Sequence, residues 1–397
     1  MSHAPYRPNT QIVHAGRRKE WTSGIVNPPV YHASTCVFET LEEFDHAVSN
    51  PDAGLYYGRR GTPTQWALQE ALIGTEPGAA GCRLTPSGVS AIAASLLAAL
   101  KPGDHLLMVD TAYEPTRGIC QGLLKDMGVS TTYYDPCMGA DIQTLMRDNT
   151  AVIFCESPGS LTFEIQDIPA ISSVAHAHGA AVIMDNTWAT GLFFNPFDHG
   201  VDISVQALTK YVVGHSDAML GCIMANEAYW PRAETTVFRL GLCAAPDDAY
   251  LALRGLRTLP LRLRQHEQAA MEVATFLEAH PVVDKVMHPA LTSFPSHDLW
   301  KRDFKGASGL FSFTLRMGER EHLRPLLDHM AHFKMGFSWG GFESLILPLR
   351  FRGIRTANKP NFPGPALRLH IGLEDTADLI EDLSAGLDRF AKAASAL

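Results

Sequence analysis

The sequence predicts an α/β protein with a mainly parallel, doubly wound sheet in a large domain, a smaller C-terminal α/β domain and an extended N-terminal arm. Two observations carry this. The short apolar runs "HLLMVD" (105–110), "TAVIFCES" (150–157) and "AAVIMDN" (180–186) are what strands buried on both faces of a parallel sheet produce. Between such runs lie helical segments, "SAIAASLLAALKPG" (90–103) and "IPAISSVAHAHG" (168–179), each closed by a Gly or Pro-Gly stop.

Residues 1–60 are rich in Pro, Gly, Asn and aromatics and show no sustained period, so they read as an arm that packs on something else, such as another subunit. Residues 61–256 carry the alternation of strand and helix and form the large domain. Beyond 257 a long helical window, "RLRQHEQAAMEVATFLEAHP", precedes "GLFSFTLR" and "ALRLHIGLED", which makes 257–397 a smaller domain joined through a long helix. A chain of 397 residues is too long for one ordinary core.

Composition excludes several function classes. The net charge of −9 argues against a phosphate-backbone partner. The one basic run, "LRGLRTLPLRLRQH" (253–266), spaces its arginines with leucines and reads as an amphipathic element with a solvated or paired charged face. The seven cysteines form no CxxC pair, a reduced pattern that is neither a disulfide framework nor a zinc site. No apolar segment is long enough to cross a bilayer and the N-terminus lacks an apolar leader, so the expectation is a cytoplasmic protein with no membrane or nucleic-acid partner. His176 and His178 stand two apart in a helix and do not share a face, so no metal is assigned.

Ligands of an open parallel sheet sit beyond the carboxyl ends of its strands. "AAVIMDN" leads to Asp185, "SVQALTK" ends in Lys210, and "CRLTPSGVSAIAASLL" turns through Ser87 and Gly88 into a helix. Singly, Asp185 and Ser87 read as helix caps and Lys210 as a solvated loop charge. Together they match one cofactor. Pyridoxal phosphate needs a lysine for its Schiff base, an acid facing the pyridine nitrogen and donors for its phosphate. The helix opening at Ser87, Gly88 and Val89 offers free N–H groups and the positive end of its dipole to that anion.

The segments "YYGRRGTPT" (56–64), "TAYEPT" (111–116), "ESPGS" (156–160), "DNTW" (185–188), "TKYVVGHSD" (209–217), "SWGGFESL" (338–345) and "RLHIGLED" (368–375) resemble, in order and over nearly the whole chain, the Cys/Met-metabolism family of pyridoxal-phosphate enzymes. The likeness is greatest to the bacterial branch that cleaves the β-carbon–sulfur bond of cystathionine. It implies a fold-type I pyridoxal-phosphate transferase architecture and a set of roles. Lys210 would hold the cofactor and then carry protons at the substrate α-carbon. Asp185 would pair with the pyridinium nitrogen, Tyr113 would stack on the ring, and Thr209 with Ser87, Gly88 and Val89 would bind phosphate. Tyr57 and Arg59 would reach a neighbouring subunit's site, which implies a homodimer at least, with a dimer of dimers common among relatives. Arg368 would take the substrate α-carboxylate through two parallel bonds, and Ser338 and Trp339 would line the substrate side.

The resemblance implies a β-elimination that yields pyruvate, ammonia and, from cystathionine, homocysteine. Family members acting at the γ-carbon usually differ at Trp339 and often carry Asn where this chain has Ser160. The substrate the resemblance implies is a thioether amino acid. In "AYEPTRGIC" Arg117 and Gly118 stand where β-lyases tend to have an acid facing the distal amine, and a cation there would favour a simpler cysteine conjugate or cysteine. The alternatives are therefore a cysteine-conjugate β-lyase or desulfhydrase, a γ-lyase on cystathionine or methionine, and a catalytically silent binding protein.

Overall fold

The computed structural model describes residues 6–351, 353–357 and 359–395. Its large sheet has seven strands: β1 (Gly81–Thr85), β2 (His105–Val109), β3 (Ser130–Tyr134), β4 (Thr150–Glu156), β5 (Ala181–Asp185), β6 (Ile203–Gln206) and β7 (Gly221–Ala225). Their spatial order is β1-β7-β6-β5-β4-β2-β3, with β7 antiparallel to both of its neighbours and the strands from β6 to β3 parallel. The three apolar runs read from the sequence are β2, β4 and β5. In β7, Ile223 and Ala225 join one core cluster while Cys222 and Met224 join the other, so the sheet is covered on both faces.

The four-stranded C-terminal sheet, β8 (Val283–Met287), β9 (Leu310–Leu315), β10 (Leu345–Pro348) and β11 (Ala366–His370), is antiparallel throughout, in the order β10-β11-β9-β8. The helix Pro246–Ala279 runs through the expected boundary at 256/257, so the division we propose follows the two sheets. Of the four arginines of the basic run on this helix, Arg254 and Arg264 are exposed and the other two are paired with backbone carbonyls. Arg262 donates to the carbonyls of Tyr211 (2.7 Å), Val212 and Gly255, and Arg257 to those of Ile12 and Ala15, which ties the arm to the large domain.

The arm contains local structure that its composition hides, with helices at Pro8–His14, Lys19–Thr22 and Leu41–Ser49. The last is signalled by a short cue: the Thr40 hydroxyl accepts from the Glu43 amide (3.2 Å) and the Glu43 carboxylate accepts from the Glu39 amide (3.0 Å). Val37, Leu41, Phe44 and Val48 of this stretch are exposed.

Candidate active site

The parallel strands end along one edge, and the residues just beyond them surround a cavity of about 290 Å³. Its lining includes Ser87, Gly88, Val89, Tyr113, Asp185, Thr209, Lys210, Ser338, Trp339 and Arg368. Ten positions singled out in the sequence thus meet in one place. Tyr57 and Arg59 do not: Arg59 donates to the Phe238 carbonyl (2.9 Å), and neither side chain lines this cavity.

β6 stops at Gln206, four residues earlier than "SVQALTK" suggested, because the chain turns there: the Lys210 amide donates to the Ala207 carbonyl (3.1 Å). The turn is fastened by Thr209, whose hydroxyl accepts from the Leu220 amide (2.9 Å) and donates to the Leu220 carbonyl (3.2 Å). Lys210 Nζ donates to the Ser338 hydroxyl (2.6 Å) and lies 5.3 Å from the centre of the Trp339 ring. Burial, helped by the Arg368 charge and opposed by Asp185, brings the Lys210 amine down to about 8.

Asp185 closes β5 and is held by the amide and hydroxyl of Thr187, both bonding Oδ1, which leaves Oδ2 for the cavity. Burial raises its carboxyl above the usual range despite those bonds. Beside it in register, Glu156 ends β4 and accepts the Tyr113 amide (2.7 Å); burial and the neighbouring Asp185 charge push it well up. Tyr113, partly exposed, has its phenol raised by burial and by Glu156, so it is a neutral ring at ordinary pH.

Ser87 caps the helix Gly88–Ala99 in a reciprocal box: its hydroxyl accepts from the Ser90 amide (3.2 Å) and its amide donates to the Ser90 hydroxyl (3.0 Å). A Cβ on Gly88 would come within 2.5 Å of the Ala207 Cβ, so glycine lets the helix start press against the turn that presents Lys210. From the other sheet, Arg368 on β11 donates to the Ser338 carbonyl (3.0 Å), and burial lowers its guanidinium to about 10, still charged. Ser338 takes a φ of +77°, unfavourable for a residue with a Cβ.

The residues fit pyridoxal phosphate. An amine, a buried carboxylate with a free oxygen that a cationic ring nitrogen would hold in its charged form, a helix start for an anion and an aromatic ring all open onto one cavity of suitable size.

Arg117 corrects one expectation. It is 2% exposed, pairs with Asp110 (2.9 Å), stacks over the Tyr133 ring (3.7 Å) and does not line the cavity. Its charge is neutralised within the wall, so it does not repel a substrate amine. The sequence reading missed Glu156, Leu161, Phe163, Met219 and Phe337 in the lining, since a lone acid or apolar residue in a loop carries no signal until the fold brings it to the site.

Residues 9–388 match the model of a family described as Cys/Met metabolism PLP-dependent enzyme. The chain is 50% identical to a putative cystathionine β-lyase from Rhizobium johnstonii, over 95% of each chain. It is 47% identical to the cystathionine β-lyase of Escherichia coli, over 96% of this chain and 98% of that one. The crystal structure of cystathionine γ-synthase from Xanthomonas oryzae pv. oryzae in complex with aminoacrylate and cysteine superposes with a TM-score of 0.89 at 31% identity, covering 98% of this chain and all of that one.

Proposed function

The chain belongs to the Cys/Met-metabolism family of pyridoxal-phosphate-dependent enzymes, and on that premise we propose that it is a cystathionine β-lyase, converting cystathionine and water to homocysteine, pyruvate and ammonia. The observation that carries the proposal is the meeting of Lys210, Asp185, Tyr113 and Arg368 around one cavity, in a chain two of whose nearly full-length relatives, at 47–50% identity, bear that name.

The bound cofactor supplies the electron sink that makes the substrate α-proton acidic. Asp185 would hold the pyridine nitrogen protonated, with Thr187 fixing the carboxylate. The helix start at Ser87, Gly88 and Val89, with Thr209, would seat the phosphate, and Tyr113 would cover the ring face and exclude water. Arg368 would receive the α-carboxylate, which sets the α-carbon before Lys210. A Lys210 amine near 8 takes the α-proton readily; the β-carbon–sulfur bond then breaks, with the electron pair leaving on sulfur. Ser338 and Trp339 would orient the amine between transfers.

The working unit is proposed to be a cytoplasmic homo-oligomer, a dimer of dimers, in which Tyr57 and Arg59 serve the site of a second copy. The exposed apolar side chains of the arm and the absence of both residues from the lining of their own chain's cavity support the shared site.

The test is a panel of cystathionine, cystine, cysteine and S-alkylcysteines with identification of the keto acid. Pyruvate from cystathionine at the highest kcat/KM supports the assignment. 2-Oxobutyrate would make the chain a γ-lyase, a preference for cysteine a desulfhydrase, and protein that neither colours with the cofactor nor carries it on Lys210 after borohydride reduction a silent relative.

A further inference from the structure

Beside the cavity lies a second cluster, built from residues that the reaction does not use. Asp110, fully buried after β2, accepts from Arg117 (2.9 Å), from the amide and hydroxyl of Thr356 (2.8 Å each at the nearer oxygen) and from the Ala357 amide (2.9 Å). This fastens residues 355–357 of the C-terminal part onto the large domain and delivers Arg355, itself 4% exposed. Arg355 donates to the backbone carbonyls of Asp110 (2.9 Å) and Ser160, with Thr162 Oγ1 at 3.4 Å.

The Ser160 contact places Arg355 behind the cavity wall. Ser160, Leu161 and Phe163 line the cavity, and Leu161 and Phe163 hold φ values of +72° and +61°, a conformation that side-chain-bearing residues avoid. Something must hold such a loop. The Ser160 amide donates to the Thr111 carbonyl (2.7 Å), a Cβ on Gly159 would meet Thr111 Oγ1 at 2.3 Å, and Arg355 takes the Ser160 carbonyl. With the cofactor and the α-carboxylate assigned elsewhere, this wall is, together with Met219, Phe337 and Trp339, part of what the substrate's sulfur substituent would meet.

We propose that Arg355, seated on the Asp110 latch, is a positioning residue that fixes the Ser160–Leu161 wall and so sets discrimination among amino acids by the length of their side chains. The inference rests on the amino-acid pocket proposed above and names what shapes one side of it. A guanidinium suits the task because its planar fork reaches two carbonyls at once, which an ammonium does not. Burial lowers its guanidinium, opposed by the nearby Glu164, Asp110 and Glu156 and helped by Arg117.

The experiment compares wild type with Arg355→Gln, each loaded with cofactor, and titrates L-alanine and L-norleucine while following the cofactor's visible absorption. Neither ligand has a leaving group, so the reading does not depend on which substrate is cleaved. We expect norleucine affinity to fall about tenfold and alanine affinity to change less than twofold. Equal change for both ligands, or no change for either, overturns the proposal. If Arg355→Gln fails to take up cofactor, Arg355→Lys, which keeps the charge and one donor, is expected to bind cofactor normally and to lose norleucine affinity by a smaller factor; failure of cofactor uptake there too would make Arg355 a folding residue and end the proposal. Failure of the lyase assignment is read separately, in the keto-acid panel.

Discussion

The Lys210 amine donates to the Ser338 hydroxyl across 2.6 Å, joining the large sheet's lysine to a loop carried by the smaller sheet. Ser338 is locked from behind: Arg368 holds its carbonyl, and His370, two residues further along β11, lies 3.1 Å from the Gly340 amide and 3.0 Å from the Gly341 carbonyl. The hydroxyl favours the ammonium form and opposes the burial that brings Lys210 to about 8. Ser338→Ala is therefore expected to move the acidic limb of the kcat profile to lower pH, while kcat at the optimum falls about tenfold as the amine loses its orientation. A pH–rate series decides this; an unmoved limb with lowered kcat would confine Ser338 to packing.

Arg368 is expected to be intolerant of lysine. The guanidinium reaches both the Ser338 carbonyl and the cavity, whereas an ammonium is a single point of charge. Arg368→Lys should raise KM for cystathionine roughly 10- to 100-fold, the equivalent of about 1.5–3 kcal/mol for a charge-assisted bond lost. A smaller fall in kcat should accompany it, because the Ser338 loop loosens. Steady-state kinetics with the cofactor saturating separate the two effects.

These two positions illustrate what was legible in the sequence. Asp185 and the Ser87 helix start announce themselves because a strand end and an N-cap are local patterns. The end of β6 was misread, because the residues after Gln206 are apolar enough to pass for strand while Thr209 folds them into a turn through Leu220. Arg117 stands at a position where the family resemblance implies an acid facing the distal amine, yet the helix Glu114–Ile119 carries it away from the cavity to Asp110. Glu156 ends the β4 run and opens "ESPGS" yet carried no signal of its role, and Arg355 gave none at all. Each works through backbone groups distant in sequence, and periodicity does not record such contacts.

The shared-site proposal predicts complementation. If Arg59 serves a second copy, Arg59→Ala should weaken cofactor retention at the neighbour's site, and Lys210→Ala should inactivate only its own. Mixed oligomers of the two variants should recover activity through sites with intact Lys210 and intact Arg59, up to about one quarter of wild type in a randomly assorted dimer. Each variant alone is near-inactive by this reading. Subunit exchange verified by mass, without recovery, refutes sharing.

Glu76 makes the last prediction, on stability. It is fully buried and joins the two strands that present Asp185 and Lys210: its Oε1 accepts from Asn186 Nδ2 (2.8 Å), next to Asp185, and from Gln206 Nε2 (2.7 Å), at the end of β6. Burial outweighs these bonds and raises the carboxyl from 4.5 to about 7. A raised folded-state value means that folding prefers the protonated acid. The contribution is full below about pH 4.5, declines as pH rises to about 7 and is flat beyond, a loss of roughly 3 kcal/mol. The buried His266, His288 and His370, brought down to about 4, 4 and 3, act in the opposite sense, losing stability as pH falls below 6.5. Wild type alone would mix the two trends, so the informative quantity is the difference from Glu76→Gln, which keeps the shape and an acceptor but does not titrate. Chemical denaturation from pH 5 to 8 should show wild type losing ground to the glutamine variant up to about pH 7 and then running parallel to it. A difference independent of pH would mean that the Glu76 carboxyl keeps an ordinary value, with the two amide bonds outweighing its burial.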